Sequence, residues 1–327
     1  MSSSSLEIVS KSVLEISCLT ILTIPMLYVH IISDSYQPFQ RGFFCDDQNL
    51  KHPYLDKQTV PMEMCFFIWA VLIIFSVVFV EILRLRTRVQ KPLSVYGRNI
   101  PWLLIELYRQ MGFLILGGTA CFLFTDLSKF TIGRLRPHFL SLCQPDYATV
   151  CKEEGELYQH FVTEDQVEVC QGLGGEISEK MLREARLSFM SGHASFSFYS
   201  ATFLIIYLQA RLNKIVESSS GHITIAKVLK LLRPFIQFGI FMLAFWIALT
   251  RISDYFHHPL DVIMGSVVGI CFAILTLAAA DIFRRQTAFW KVNAEEYEKQ
   301  TTQHEDTENK KKTIKDFVVN TYEFGTA

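Results

Sequence analysis

The chain has 327 residues, half of them hydrophobic, with 27 phenylalanines and a formal net charge of −1. A soluble domain of this length would show shorter apolar runs, so the composition argues against one. The net charge says nothing by itself, and nucleic acid is not among the partners it suggests.

Apolar windows close to the roughly 20 residues needed to cross a bilayer recur along the chain. They lie at about 13–33, 61–83, 101–128, 193–210, 233–250 and 259–283. The fold class expected is all-α: a polytopic membrane protein with six transmembrane helices, because lipid obliges each spanning backbone to satisfy its own hydrogen bonds. The first window is long and lacks a convincing cleavage site, which reads as a retained anchor after a short N-terminus, residues 1–12.

Between spans two and three stand Arg84, Arg86, Arg88, Lys91 and Arg98 with no acid. Between spans four and five Arg211, Lys214, Lys227, Lys230 and Arg233 face only Glu217. The positive-inside rule puts both segments, and with six spans both termini, in the cytoplasm. The tail 286–327 is charged, polar and expected to be disordered. The outer or lumenal segments are then 34–60, 129–192 and 251–258. They hold Cys45, Cys143, Cys151 and Cys170 of the eight cysteines, enough for two disulfides, and a Cys151–Cys170 bond is expected.

The chemistry collects at the outer ends of the spans. Span three leaves through KFTIGRLRPHF, with Lys129, Arg134 and Arg136. Span four is entered through RLSFMSGHASFS, with Ser188, Ser191, Gly192 and His193, and spans five and six are joined by RISDYFHHPLDV. Each has a plain alternative: headgroup anchors, an N-cap turn, a polar rim. Three such accidents on one face are much less plausible than one. Lys129, Arg136 and Arg251 supply cations suited to phosphate oxygens, and Ser191-Gly192 before a helix lets backbone N–H groups approach an anion. A zinc site from His193, His257 and Asp261 is the competing reading, which three nearby cations oppose. No metal and no cofactor is therefore expected. Pro259 suits the first turn of span six. Asp261, four residues after His257, can reach back to orient that ring as nucleophile, while His193 would serve as general acid and base. His258 is expected to support the site from behind or to touch a headgroup, and His138 has no assigned role.

Lys129-x6-Arg136-Pro137, Ser191-Gly192-His193 and Arg251-x5-His257-x3-Asp261 resemble the three signature motifs of the type 2 phosphatidate phosphatase superfamily. RGFFCDD, GRLRPHFL, RLSFMSGHASFS and RISDYFHH look like its animal, Wunen-like group of lipid phosphate phosphatases, over residues 10 to 285. The resemblance implies a helical phosphatase core (domain 13–285) that dephosphorylates phosphatidate, lysophosphatidate, sphingosine 1-phosphate or ceramide 1-phosphate without metal. It implies a phosphohistidine at His257, acid/base work by His193, and phosphate held by Lys129, Arg136, Ser191, Gly192 and Arg251. It also implies residence in the plasma membrane, with lipid phosphates and the bilayer as partners; a homo-oligomer is compatible with it. Met190, Thr250 and Pro259-Leu260 depart from the usual family residues, and none of these removes a reacting group. The rivals are a catalytically silent lipid-binding relative, a headgroup phosphotransferase, and a transporter, which basic residues at span ends rather than mid-span disfavour.

Overall fold

Apolar segments of this length become helices wherever the backbone has no water to bond to, and helices dominate the computed structural model. It describes residues 37–87, 93–95, 98–147, 161–162, 170–172, 177–218 and 224–280, with isolated helical positions between 13 and 24. The long helices are α1 (Met62–Thr87), α2 (Trp102–Ile132), α5 (Gly192–Ser218), α6 (Thr224–Ser253) and α7 (Pro259–Ala280). Two short helices, α3 (Phe139–Cys143) and α4 (Glu179–Glu184), lie between α2 and α5. Residues Met1–Leu277 form one compact unit and Ala278–Ala327 a second; the packing below belongs to the first.

Among the described residues, four helices are long and apolar enough to span a membrane: Met62–Arg84, Leu103–Ile132, Lys227–Ser253 and Pro259–Ala280. The expectation of six is thus met only in part. The window 13–33 lies almost wholly outside the described residues, as does the tail 286–327. The fourth window is a helix of 27 residues, about 40 Å at 1.5 Å per residue, yet it is too polar to qualify. The reason is its position. α5 packs against α1, α2 and α6 at once and buries Ser195, Ser197 and Ser200 beside Ala201 and Leu204. A helix walled by protein need not be greasy on every side. Its polar atoms find partners within the bundle: Ser197 Oγ accepts from Trp69 Nε1 at 3.1 Å, and Tyr199 Oη donates to the Leu114 carbonyl at 2.8 Å.

α7 meets α5 through Gly265 and Gly269. A Cβ at Gly265 would stand 2.6 Å from the Ser191 carbonyl oxygen, and one at Gly269 would overlap that of Ser195. Small residues one turn apart let two membrane helices touch backbone to backbone, and this contact sets the start of α7 beside the start of α5.

Far along α5 from that point lies a buried ionic knot. Arg211 pairs with Glu106 of α2 and, at 3.5 Å, with Glu81 of α1. Tyr207 Oη donates to Glu81 at 3.0 Å, while Arg109 and Gln110 each donate to Glu106 at 2.7 Å. Both carboxylates are essentially inaccessible. A buried charge is tolerable only when paired in this way.

At the opposite end the connections fold over the bundle. β1 (Phe43–Phe44) pairs antiparallel there with β4 (Phe161–Val162); β2 (Leu93–Val95) and β3 (Arg98–Ile100), in the link from α1 to α2, form a separate hairpin. Phe43, Leu50, Leu135, Phe139, Leu142 and Val162 make a second core there. Cys143 is bonded to Cys170, which corrects the Cys151–Cys170 pairing expected above. Cys143 closes α3, where a Pro145–Cys170 bridge and the Gly172 N–H on the Cys143 carbonyl already hold the two strands of chain together. Cys45 is also disulfide-bonded, and Cys151 lies outside the described residues.

Candidate active site

Backbone hydrogen bonds sew the three motif segments together. The Arg136 N–H donates to the Ala185 carbonyl at 2.8 Å and the Ser188 N–H to the Arg134 carbonyl at 2.9 Å. The Ser191 N–H donates to the Asp261 carbonyl at 3.1 Å, and the Phe256 and His257 N–H groups both close on the Arg251 carbonyl at 3.1 Å. α2 runs to Ile132, so Lys129 sits on its last turn, and Gly133 ends the helix at φ 56° with its N–H on the Lys129 carbonyl. Only glycine fits there, because any Cβ would overlap the Phe39 carbonyl. Pro259 is the first residue of α7, as its chemistry suggested.

His257 is buried, and its Nδ1 lies 2.7 Å from the Ser188 carbonyl oxygen. A carbonyl only accepts, so Nδ1 carries the hydrogen and Nε2 keeps its lone pair. Burial holds the imidazole well below its usual pKa, and Arg136 and Lys129 push it further down. It is a neutral ring beside two cations. His193, in the first turn of α5, has Nε2 at 3.1 Å from the Val60 carbonyl. By the same reasoning its Nδ1 is the nitrogen left to exchange a proton.

The contact expected between Asp261 and His257 is not formed. Asp261 is fully buried and spends its carboxylate elsewhere: Oδ1 on Arg134 NH1 at 2.6 Å, Oδ2 on Ser188 Oγ at 2.6 Å and on the His258 N–H at 3.0 Å. At the start of a helix a carboxylate that caps the backbone N–H three residues earlier faces away from the ring four residues earlier. Asp261 is therefore linked to His257 through Ser188. Four-residue spacing gave reach without direction.

The cations divide into two kinds. The Arg136 guanidinium has no hydrogen-bond or ion-pair partner among the described residues, and its Nε is buried unsatisfied. Burial pushes it below the ordinary arginine value. It stacks on Phe256, 5.2 Å from its centroid, and Arg251 lies 5.9 Å from the same ring. Lys129 Nζ pairs with Asp126 at 2.9 Å and stands at Gly192, where a Cβ would come within 3.3 Å of it. Ser191 is buried and caps α5, its carbonyl receiving the Ser195 N–H at 3.0 Å. Arg251 is different: fully buried, it bonds Gln58 Oε1 at 2.8 Å, Asp254 Oδ2 at 2.9 Å and Thr250 Oγ1 at 3.0 Å. It stands with the others but is already occupied.

Several residues here carried no assignment in the sequence reading. Arg134 was one cation among three. Ser188 gives both a hydroxyl and a carbonyl. Gln58, Thr59 and Val60, just before α1, touch Arg251, Asp254 and His193 respectively. Asp254 had the one visible signal, an acid three residues after Arg251 on a helix end. His258 points its Nε2 at the Leu135 carbonyl at 3.0 Å, and His138 its Nδ1 at the Tyr255 carbonyl at 2.9 Å. Among the described residues, His, Cys, Asp and Glu do not gather in a metal-holding group of three.

The model of the PAP2 superfamily matches residues 110–285. A Drosophila melanogaster relative is 36% identical over 263 residues, which is 76% of this chain and 64% of that protein, so the chain spans just under two thirds of it. Phospholipid phosphatase 1 of Rattus norvegicus is 34% identical over 295 residues, 90% of this chain and 93% of that protein. Phospholipid phosphatase 2 of Homo sapiens is 32% identical over 294 residues, 88% of each chain. No solved structure matches the chain.

Proposed function

This chain belongs to the PAP2 superfamily, and on that premise we propose that it is an integral membrane lipid phosphate phosphatase. It hydrolyses the phosphomonoester of phosphatidate, lysophosphatidate, sphingosine 1-phosphate or ceramide 1-phosphate at the outer face of the plasma membrane, with both termini in the cytoplasm and no metal taking part. The observation that carries this reading is the pair of imidazoles, each with one nitrogen held by a backbone carbonyl, beside an Arg136 guanidinium that has no hydrogen-bond or ion-pair partner among the described residues.

In the mechanism proposed, the phosphoryl group rests against Arg136, Lys129 and the N-terminus of α5 at Ser191-Gly192, where helix dipole and cations favour its charge. Nε2 of His257 attacks phosphorus. The N–P bond forms as the P–O bond to the lipid breaks, and protonated His193 gives its Nδ1 proton to the departing alkoxide. His193, now neutral, takes a proton from water as the water oxygen attacks phosphorus. The N–P bond breaks and inorganic phosphate leaves. Arg134, Asp261 and Ser188 keep the His257 ring in its reactive tautomer throughout. Water rather than a second lipid is the acceptor because the site opens at the ends of the helices, not among their middles.

The test is release of inorganic phosphate from the four lipid phosphates in micelles containing EDTA. The wild type should release phosphate and His257→Ala should not. Loss of activity in EDTA with rescue by zinc or magnesium would instead support a metal centre.

A further inference from the structure

Arg251 has five N–H donors, and four are engaged. Nε and one N–H of NH2 reach Thr250 Oγ1 at 3.1 and 3.0 Å, the other N–H of NH2 reaches Asp254 Oδ2 at 2.9 Å, and NH1 reaches Gln58 Oε1 at 2.8 Å. The three acceptors are unequal. Thr250 adjoins Arg251 in sequence. Asp254 is charged, buried and itself fastened, since Thr59 donates to it with both its N–H at 2.8 Å and its hydroxyl at 2.7 Å. Gln58 is neutral, partly exposed and brought in from a distant segment.

We propose that the Gln58 amide oxygen occupies the place on Arg251 NH1 that a phosphoryl oxygen of the substrate takes, and that Gln58 thereby sets the affinity of the site for phosphate. This rests on the phosphatase reading above. A phosphoryl oxygen is a stronger acceptor for a guanidinium than a neutral amide, so the exchange runs toward substrate. The neighbours of Gln58 allow it to leave without dragging the site along. Thr59 stays bound to Asp254, and the Val60 carbonyl stays on His193. Displacing Asp254 instead would strip Arg251 of its countercharge inside a buried pocket, which is far more costly. Gln58 thus tunes affinity rather than specificity: displacing it costs every phosphate ester the same, and binding of each weakens by the same factor.

The experiment compares full-length wild type, Gln58→Ala and Gln58→Glu in detergent. It measures inorganic phosphate binding by calorimetry, and KM and kcat on lysophosphatidate. Gln58→Ala frees NH1, so the Kd for phosphate and the KM should both fall, roughly three- to tenfold for one hydrogen bond no longer in competition. Gln58→Glu puts an anion against Arg251, so both should rise by about tenfold or more. A merely structural role would weaken binding in both variants, so the opposite signs are the mark of competition. Thermal unfolding of each variant reports whether it is folded, and the oppositely signed partner variant carries the test if one is not. Values within twofold of wild type for both variants, or weakening in both, overturn the proposal. Hydrolysis by the wild type together with either of those results leaves the phosphatase reading standing alone. Phosphate binding that follows the predicted signs without hydrolysis supports the role of Gln58 and sinks the phosphatase reading, and a wild type that neither binds nor hydrolyses sinks both.

Discussion

Ser188 holds the His257 ring with its carbonyl, 2.7 Å from Nδ1, and the same residue gives its hydroxyl to Asp261 at 2.6 Å. The imidazole is thus tied to the carboxylate through Ser188, whose carbonyl holds the ring and whose hydroxyl donates to Asp261. Arg134 closes the chain from the other side of Asp261.

This relay orders the effects of substitution. Asp261→Asn loses the ion pair with Arg134 and loosens Ser188, and kcat should fall about 10- to 100-fold for charge-assisted bonds of this kind. Ser188→Ala keeps the carbonyl on His257 and loses only the hydroxyl, so its fall should be smaller, about tenfold at most. Steady-state kinetics on lysophosphatidate decide the matter; no loss in Ser188→Ala beside a large loss in Asp261→Asn would mean that Asp261 touches the ring during turnover, and a larger loss in Ser188→Ala would overturn the relay.

The adjacent histidines should separate cleanly. His257→Ala should give no acid-labile phosphoenzyme. His258→Ala loses a bond to the Leu135 carbonyl and should still trap one from labelled lysophosphatidate. Trapping in the first variant and none in the second would reverse the assignment of the nucleophile.

Acid should destabilise the fold through His138. Burial, with Arg136 nearby, lowers its pKa from 6.5 to about 3. The unfolded chain takes up a proton as pH drops through 6.5 while the folded ring stays neutral, so stability is intact above 6.5 and is lost progressively toward pH 3. One such group contributes a slope of about 1.4 kcal/mol per pH unit within that window. Unfolding midpoints from pH 7 to 4 should fall less steeply in His138→Gln than in the wild type, and equal slopes would count against the burial argument.

Under non-reducing conditions, peptide mapping should recover Cys143 joined to Cys170. At a sequence separation of 27, the chain-entropy model gives a contribution of roughly 3–4 kcal/mol. Cys143→Ser should lower the unfolding temperature while leaving activity measurable below it. A Cys151–Cys170 peptide in the intact protein would restore the pairing suggested by the sequence.

The convergence of Lys129, Arg136, Gly192, His193 and His257 was legible in the chain, because long apolar segments and the positive-inside rule put their ends on one face. Pro259 at the first turn of α7 was legible for a local reason, its missing N–H. What could not be read is direction. A carboxylate four residues from a histidine can accept from any of several donors, and Asp261 accepts from a backbone N–H, a hydroxyl and Arg134. Nor does a sequence show that Arg251 is met by Gln58, since that contact crosses 193 positions. The enclosure of α5 was not legible either, because hydropathy registers composition and not which neighbours surround a helix.

That enclosure bears on how the protein enters its membrane. A helix carrying a row of serines and, toward its C-terminal end, Arg211 partitions poorly into lipid by itself. Its countercharges, Glu81 and Glu106, are on α1 and α2, which leave the ribosome first and are apolar enough to cross without help. Insertion of α5 is therefore assisted by partners already in place, and the site it carries is completed only after the N-terminal half is seated. Fused alone to a topology reporter, α5 should fail to span; preceded by α1 and α2 it should succeed, and Glu106→Gln with Glu81→Gln should return it to failure.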